Sequence, residues 1–342
     1  MADNHVDWPR VHDLPGTTCT FRAAPEDFFV DEILGFELTG SGPHLWVQVE
    51  KTGLNTRDVV EALASVVGCR AMEIGHAGLK DKNAVTRQWF SLPLPGSLQT
   101  TALLGGQALV LQQQRNSRKL RPGIHRGNRF RIRLREIGYD GDKLVAAASR
   151  LAASGVPNYF GPQRFGLDGG NVAMARALFA GELAKTTRFR RGLYLSAARA
   201  YLFNAVLARR VTDGSWDRLL PGDVMALAGS HSVFAAQADD PDLDRRLQSG
   251  DIHPTGPLWG KGLLMTTAVV ASLESEVVSS YQDLAAGIEA AGMKQERRPL
   301  RVLPEGLQVE PVDGQQLVLE FTLPAGAYAT SVVRELVTAT GL

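Results

Sequence analysis

Apolar and polar residues alternate most regularly at 128–136, where Phe130, Ile132 and Leu134 are interleaved with Arg129, Arg131, Arg133 and Arg135. A period of two sends the two sets to opposite faces of a β-strand. The segment is therefore predicted as a strand with one core face and one face of four guanidiniums. Gly127-Asn128 just before it reads as a turn, where an Asn amide can also meet a base edge. Further strands are predicted from Thr18, after a turn at Pro25, over 44–51, 85–92 and 108–113, and over 315–324. Phe28 and Phe29 are neighbours in the second of these, so they point to opposite faces. One can fill the core while the other faces a cleft, or both can make core contacts.

Helical spacing takes over elsewhere. Asn55 or Thr56 caps a helix running to Val67, with Val59, Val60, Leu63 and Val67 on one face. A second helix is predicted from Asp142 to Ala153. The strongest is 195–210, where Leu195, Ala198, Leu202, Ala205 and Val206 recur at helical spacing. Val332, Val333, Leu336 and Val337 give the last segment a helical apolar face, with Tyr328 at its start beside Ala325-Gly326. Between these, NYFGPQRFG (158–166) reads as a rigid loop opening a new domain, followed by about 130 mainly helical residues. The return of β-structure after them predicts an α+β chain with an inserted domain. The expected division is 1–154 with 305–342, and 155–304.

Composition narrows the function classes. The chain has 342 residues, 44% of them hydrophobic and 21% charged, with a formal net charge of +1. That is ample for two domains of an ordinary soluble protein. No apolar run approaches the roughly 20 residues of a membrane helix, and the N-terminal stretch lacks a secretory pattern. Cys19 and Cys69 are too few for a disulfide framework or a thiolate metal site, and read as reduced, buried residues of a cytoplasmic protein. HExxH, Walker and GxGxxG motifs are missing, so chemistry without metal, nucleotide or nicotinamide is expected.

Charge is distributed unevenly. From Lys82 to Arg135 there are 54 residues with eleven Lys or Arg and no Asp or Glu. Such a field attracts a polyanion, of which a nucleic-acid backbone is the usual one. Lys185, Arg188, Arg190, Arg191 and Arg199 form a second basic cluster. Acidic residues gather at 239–244 and through 274–289, expected to face solvent. Immediately before the basic field stands GHAGLKDKNAVTRQW (75–89), a turn of small residues displaying Asp81 between Lys80 and Lys82. A nearby cation favours the ionised carboxylate, and a sheltered carboxylate can serve as a nucleophile. Asp is also a common turn residue satisfying backbone donors, so a purely structural Asp81 stays open at this point.

The motifs PEDFFVDE, NTRDV, AGLKDKNAVTRQW, RGNRFRIRLR, NYFGPQRFG, LSAARAYLFN and LPAGAYATSVVREL resemble, in order, those of the tRNA pseudouridine synthase D (TruD) family. The resemblance runs from about residue 20 to the C-terminal end and is weakest in the helical middle. It implies a mixed α+β pseudouridine-synthase catalytic domain around an antiparallel sheet, with a mainly α inserted domain. It further implies isomerisation of uridine 13 in the D arm of tRNA, without cofactor, by a cytoplasmic monomer needing no protein partner. Carried over residue by residue, the nucleophilic aspartate falls on Asp81. The substrate-contacting phenylalanine falls on Phe28 and the asparagine of the GN block on Asn128. The aromatic after Pro-Ala-Gly, commonly Phe in the family, is Tyr328 here, which keeps a ring for stacking and adds a hydroxyl. Lys80, Arg129 and Arg131 join them as expected substrate contacts, and Lys80 or Lys82 either keeps Asp81 ionised or only contacts phosphate. Two other readings fit parts of the chain. An RNA chaperone accounts for the basic faces but not for the Lys-Asp-Lys turn. A small-molecule enzyme built on Asp81 leaves the basic field without a use.

Overall fold

The structure is a computed structural model. It describes residues 7–11, 17–93, 96–138, 141–183, 185–237 and 239–340, without the side chains at 141, 142, 167 and 340. The helix start expected at Asp142 thus has no described side chain, and Gly341 and Leu342 lie outside the described residues. The chain divides into two units. The first comprises Pro15–Ser149, Pro304–Gly326 and Leu336–Leu342; the second comprises Met1–Leu14, Arg150–Leu303 and Ala327–Glu335. The expected division differs from this one chiefly at 1–14 and 327–335, which group with the inserted stretch. Aromatic packing accounts for that: Trp8 stacks on Tyr159 at 6.0 Å and meets Tyr201 edge-on, and Ser331 Oγ donates to the Tyr159 carbonyl.

In chain order the elements begin with β1 (Thr18–Phe21), a 3-10 turn at Pro25–Asp27, β2 (Phe28–Ile33), β3 (His44–Thr52) and helix α1 (Thr56–Val67). Then come β4 (Gly75–His76), β5 (Val85–Leu92), β6 (Ala102–Leu103), β7 (Ala108–Asn116), β8 (Gly127–Arg135) and α2 (Gly141–Ser154). The second unit adds β9 (Val156–Pro157), α3 (Pro162–Phe165), α4 (Gly170–Phe179), α5 (Arg188–Thr212), β10 (Val224–Leu227) and β11 (Val233–Ala235). It continues with α6 (Leu243–Gln248), β12 (Ile252–Leu258), α7 (Ala268–Ser279), α8 (Gln282–Ala290), β13 (Glu296–Pro299) and β14 (Arg301–Val302). Last come β15 (Glu305–Asp313), β16 (Gln316–Pro324), α9 (Ala329–Val333) and β17 (Thr338–Thr340).

The first unit is built on a mixed, mostly antiparallel sheet in the order β15-β16-β8-β2-β5-β3-β7-β6, with β1 between β8 and β17, and β4 on β5. Only β2/β5 and β1/β17 run parallel among the described pairs. Strand β8 is paired along its length because its alternation suits a half-buried position. Phe130, Ile132 and Leu134 are buried, and Phe130 stacks on Phe321 of β16 at 5.5 Å. Its arginine face is partly neutralised. Arg129 and Arg131 both meet Glu320, at 3.1 and 2.9 Å, and Arg135 meets the buried Asp27 at 2.7 Å. Arg133 has no ion-pair partner among the described residues. Gly127 and Asn128 are already inside β8, not in a turn. A Cβ at Gly127 would run into the Leu323 carbonyl of the adjacent strand, which is why glycine stands there. On the other half of the sheet, α1 buries Val59, Val60 and Leu63 against Val47, Val49, Phe90 and Leu92. Asn55 caps it, in reciprocal contact with Asp58.

The second unit centres on α5, whose 25 residues bury Tyr194, Leu202 and Val206 against α4, α7 and α8. Phe203 and Leu207 on its other side pack with Trp216 and Leu300. Beside the helices lies a four-stranded antiparallel sheet, β11-β10-β12-β13, that the periodicity does not reveal. Two expectations about charge change here. Arg199 is buried, donating to the carbonyls of Leu258, Trp259 and Lys294 and to Glu296, whereas Lys185, Arg188, Arg190 and Arg191 are exposed. Glu274, expected at a solvent-facing acidic surface, is buried against Arg297 at 2.7 Å. The C-terminal segment also departs from a single helix. After Val333 it turns and becomes β17, because β-branched Val337, Thr338 and Thr340 suit a strand, and Thr338 pairs with Thr18. Cys19 is buried and Cys69 half-exposed. No helix among the described residues is long and apolar enough to cross a membrane.

Removing one partner of a fully buried ion pair strands the other charge. Glu274→Ala is therefore expected to destabilise the protein by about 3–5 kcal/mol. Glu276→Ala removes an exposed partner of Arg209 and is expected to cost less than about 1 kcal/mol. Denaturant titration of both variants, compared with the parent, checks the contrast.

Candidate active site

The turn carrying Asp81 is held by its backbone. Thr56, at the first position of α1, and Gln88, inside β5, are both buried and bonded to each other at 3.1 Å. Gln88 Nε2 donates to the Gly78 carbonyl at 2.6 Å, and the Lys80 amide donates to Thr56 Oγ1 at 2.9 Å. Lys51, the buried lysine of β3, donates to the carbonyls of Asp81 at 2.9 Å and Leu54 at 2.7 Å. Gly75 is required by close approach, since a Cβ there would strike the Leu120 carbonyl and Ser91 Oγ; Gly78 has open space around it. Each end of the 78–81 stretch is thus fixed by a side chain that is itself rigid.

Exposure alternates along this stretch. Leu79 is exposed, the Lys80 side chain is 8% exposed and the Asp81 side chain 31%. Lys80 turns inward, where Nζ lies 3.0 Å from Glu32 Oε2, off the hydrogen-bonding direction, and donates to Asn128 Oδ1. Glu32 Oε1 accepts from the Trp89 amide at 3.2 Å. The cation on the Asp81 carboxylate is therefore neither Lys80, as expected, nor the exposed Lys82, but Arg22, with Nη2 3.0 Å from Oδ2. Arg22 follows β1 with φ of 58°, a conformation costly for a residue with a Cβ. Its guanidinium lies 3.9 Å over the ring of Phe28. Burial lowers the pKa of Arg22 from its ordinary value, and Asp81 pushes it back up. Burial also brings Lys51 down to about 8, against the pull of Asp81 and helped by Lys80. His125 is lowered as well, first by burial and then by Lys80.

The first unit brings Asp81, Lys80, Asn128 and Phe28 into one linked set. Phe28 is 2% exposed, between Phe21 and Phe130, with its ring face covered by Arg22. Phe29 is on the opposite face, half-buried, with Arg87 above it at 5.1 Å. Arg129 and Arg131 remain exposed despite sharing Glu320. Tyr328 belongs to the second unit, at the N-terminal end of α9, edge-on to Phe160 at 5.8 Å. Its hydroxyl accepts from Arg164 Nε at 3.0 Å. Arg22, Lys51, Glu32 and Arg164 were not singled out by sequence reasoning. Lys51 alone carried a local signal, as a lysine closing an apolar strand. Among the described residues, no group of three or more His, Cys, Asp and Glu side chains is placed to hold a metal ion.

Comparison with known proteins bears on this geometry. The family model described as tRNA pseudouridine synthase D (TruD) matches residues 9–189 and 183–336. A tRNA pseudouridine synthase D of Methylococcus capsulatus is 44% identical over 341 residues, 97% of this chain and 96% of its own length. Its counterpart in Hydrogenovibrio crunogenus is 45% identical over 324 residues, covering 94% and 93%. The crystal structure of a candidate tRNA pseudouridine synthase D of Methanosarcina mazei superposes with a TM-score of 0.70 over 96% of this chain and 95% of its own, at 22% identity, which shows a shared fold.

The pKa of Lys51 has a consequence for stability. In the unfolded chain Lys51 titrates near 10.5, and in the fold near 8. Between those values the unfolded state binds more protons, so stability gains from this residue as pH rises from about 8 towards 10.5. Below pH 8 the buried charge costs stability, by up to about 3 kcal/mol. Lys51→Met is expected to lose this alkaline gain. Urea midpoints of parent and variant across pH 7–10 measure it, and parallel curves would show that Lys51 is not the group concerned.

Proposed function

Because the chain belongs to the tRNA pseudouridine synthase D family, we propose that it isomerises uridine 13 in the D arm of tRNA to pseudouridine, with Asp81 acting on the ribose and no cofactor taking part. The observation that carries this reading is the Asp81 carboxylate itself. It is half-exposed, bound to Arg22, and mounted on a backbone that cannot swing away. The reaction breaks the bond between C1′ and uracil N1 and forms one between C1′ and C5. The C5 proton leaves and N1 gains one, so neither redox equivalents nor phosphate energy is consumed. Asp81 can act by attack on C1′ or by assisting formation of a glycal, and both start from a carboxylate beside the sugar.

The target uridine must first leave its stack, at a cost of roughly a few kcal/mol. Phe28 in the first unit is the ring assigned to hold the base, and Tyr328 in the second is assigned to contact the substrate. A base on Phe28 takes the place now held by Arg22, so stacking and release of the Arg22 guanidinium are coupled in this reading. Asn128 and Lys80 are the polar contacts, already bonded to each other. Arg129 and Arg131 offer exposed charge to the backbone, by exchanging Glu320 for phosphate. The protein acts as a monomer in this scheme.

Asp81→Asn keeps the side-chain size and removes the reacting group. Pseudouridine formation is expected to fall by many orders of magnitude, beyond the roughly 10²–10⁴ of a lost general acid or base. The tRNA affinity should stay within a few-fold, because phosphate contacts rest on other residues. Tritium release from uracil C5 in labelled tRNA measures the first and filter binding the second. Substantial residual isomerisation would remove Asp81 from this role.

A further inference from the structure

Resting on the reading that the substrate is a tRNA, we propose that Arg164, with Arg298 behind it, is a binding site in the second unit for one phosphodiester of that RNA. Arg164 is held on three sides by uncharged groups. Nε donates to the Tyr328 hydroxyl at 3.0 Å and Nη1 to Ser196 Oγ at 3.0 Å, and the guanidinium lies 5.5 Å from the Phe160 ring. Nη2 has no hydrogen-bond partner among the described residues. Several buried or half-buried arginines meet a carboxylate, although buried Arg301 is held by His253 and the Leu247 carbonyl instead. Arg135 has Asp27, Arg199 has Glu296, Arg210 has Asp223 and Arg297 has Glu274. Arg164 has none among the described residues.

Arg298 stands on the same ring, 4.1 Å from the centroid of Phe160, and donates to the neutral Oδ1 of Asn158 at 2.7 Å. Burial lowers its pKa to about 10, Tyr328 acting against that and the charge of Arg164 with it. Two guanidiniums therefore approach one aromatic ring and repel each other, and an anion in front of Arg164 relieves both. The planar fork of an arginine matches a phosphate bidentately. Because Arg164 is already immobilised, little side-chain entropy is lost when the anion arrives. Tyr328, whose hydroxyl fixes Arg164, supplies a ring beside the cation. A nucleotide is recognised by that pairing, with its base on the ring and its phosphate on the guanidinium.

The test measures tRNA binding and does not depend on turnover. Parent, Arg164→Gln and Arg164→Lys are titrated with tRNA across a salt series, and phosphorothioate interference maps the phosphates that matter. Arg164→Gln is expected to weaken binding about ten-fold near 100 mM salt and to lower the slope of log K against log salt by about 0.9. Arg164→Lys should retain the slope, and one interfering phosphate of the parent should vanish in the Gln variant. An unchanged slope and interference pattern in both variants overturns the proposal. If Arg164→Gln does not fold, Arg164→Lys carries the test: loss or weakening of one interfering phosphate supports the site, and an unaltered pattern overturns it. Titration with inorganic phosphate at constant ionic strength separates the other source of the same chemistry. Phosphate binding lost in Arg164→Gln, with the tRNA slope intact, assigns the site to a free anion and also overturns it. A parent that binds tRNA with these properties but forms no pseudouridine refutes the catalytic reading and leaves this one standing.

Discussion

Three buried polar side chains, Thr56, Gln88 and Lys51, fix the backbone from Gly78 to Asp81, and the directions of Lys80 and Asp81 follow from that. Each such bond contributes only about 1 kcal/mol net. Losing one leaves a buried carbonyl or amide unpaired, which costs about 1–3 kcal/mol and frees the turn. The arrangement is therefore stiffer than its individual energies suggest. With the backbone fixed, neighbouring side chains diverge. Lys80 goes into the protein to Glu32 and Asn128, while Asp81 stays half-exposed for Arg22.

The cation chosen for Asp81 also has a physical reason. An ammonium at Lys80 or Lys82 is a compact, strongly hydrated charge on a flexible stem, whereas the Arg22 guanidinium is flat and weakly hydrated. It can lie on Phe28 and reach the carboxylate from the same position. The left-handed backbone at Arg22 is the strain that this placement costs. The buried ring of Phe28 is thus covered by a cation, and Arg22 links that ring to the Asp81 carboxylate.

What could be read from the chain was local. The alternation at β8, the cap and apolar face of α1 and the long apolar stripe of α5 are all present in the structure, because a period of two or of 3.6 needs only neighbouring residues to be seen. The strands β12 and β13, IHPTGPL and ERRP, carry proline and arginine where alternation would be sought, and so gave no such signal. Arg199 and Glu274 looked like surface charges because their partners are 97 and 23 residues away. The same holds at the site. Asp81 could be found from its turn, but Arg22 lies 59 residues earlier and nothing beside it marks its role. The charged face of β8 was legible as a pattern, but Glu320, which half-neutralises it, was not.

Arg22 leaves directly from β1, and β1 is held by β8 on one side and by β17 on the other. The register sets Thr18 against Thr338 and Thr20 against Thr340, close to the last described residue. The frame for the Asp81 ion pair is consequently completed by residues made long after Asp81. During synthesis, residues 22 and 81 leave the ribosome long before the strand that secures β1 is available. The nascent chain can contain the carboxylate, its turn and its arginine and still lack the sheet edge that aims one at the other.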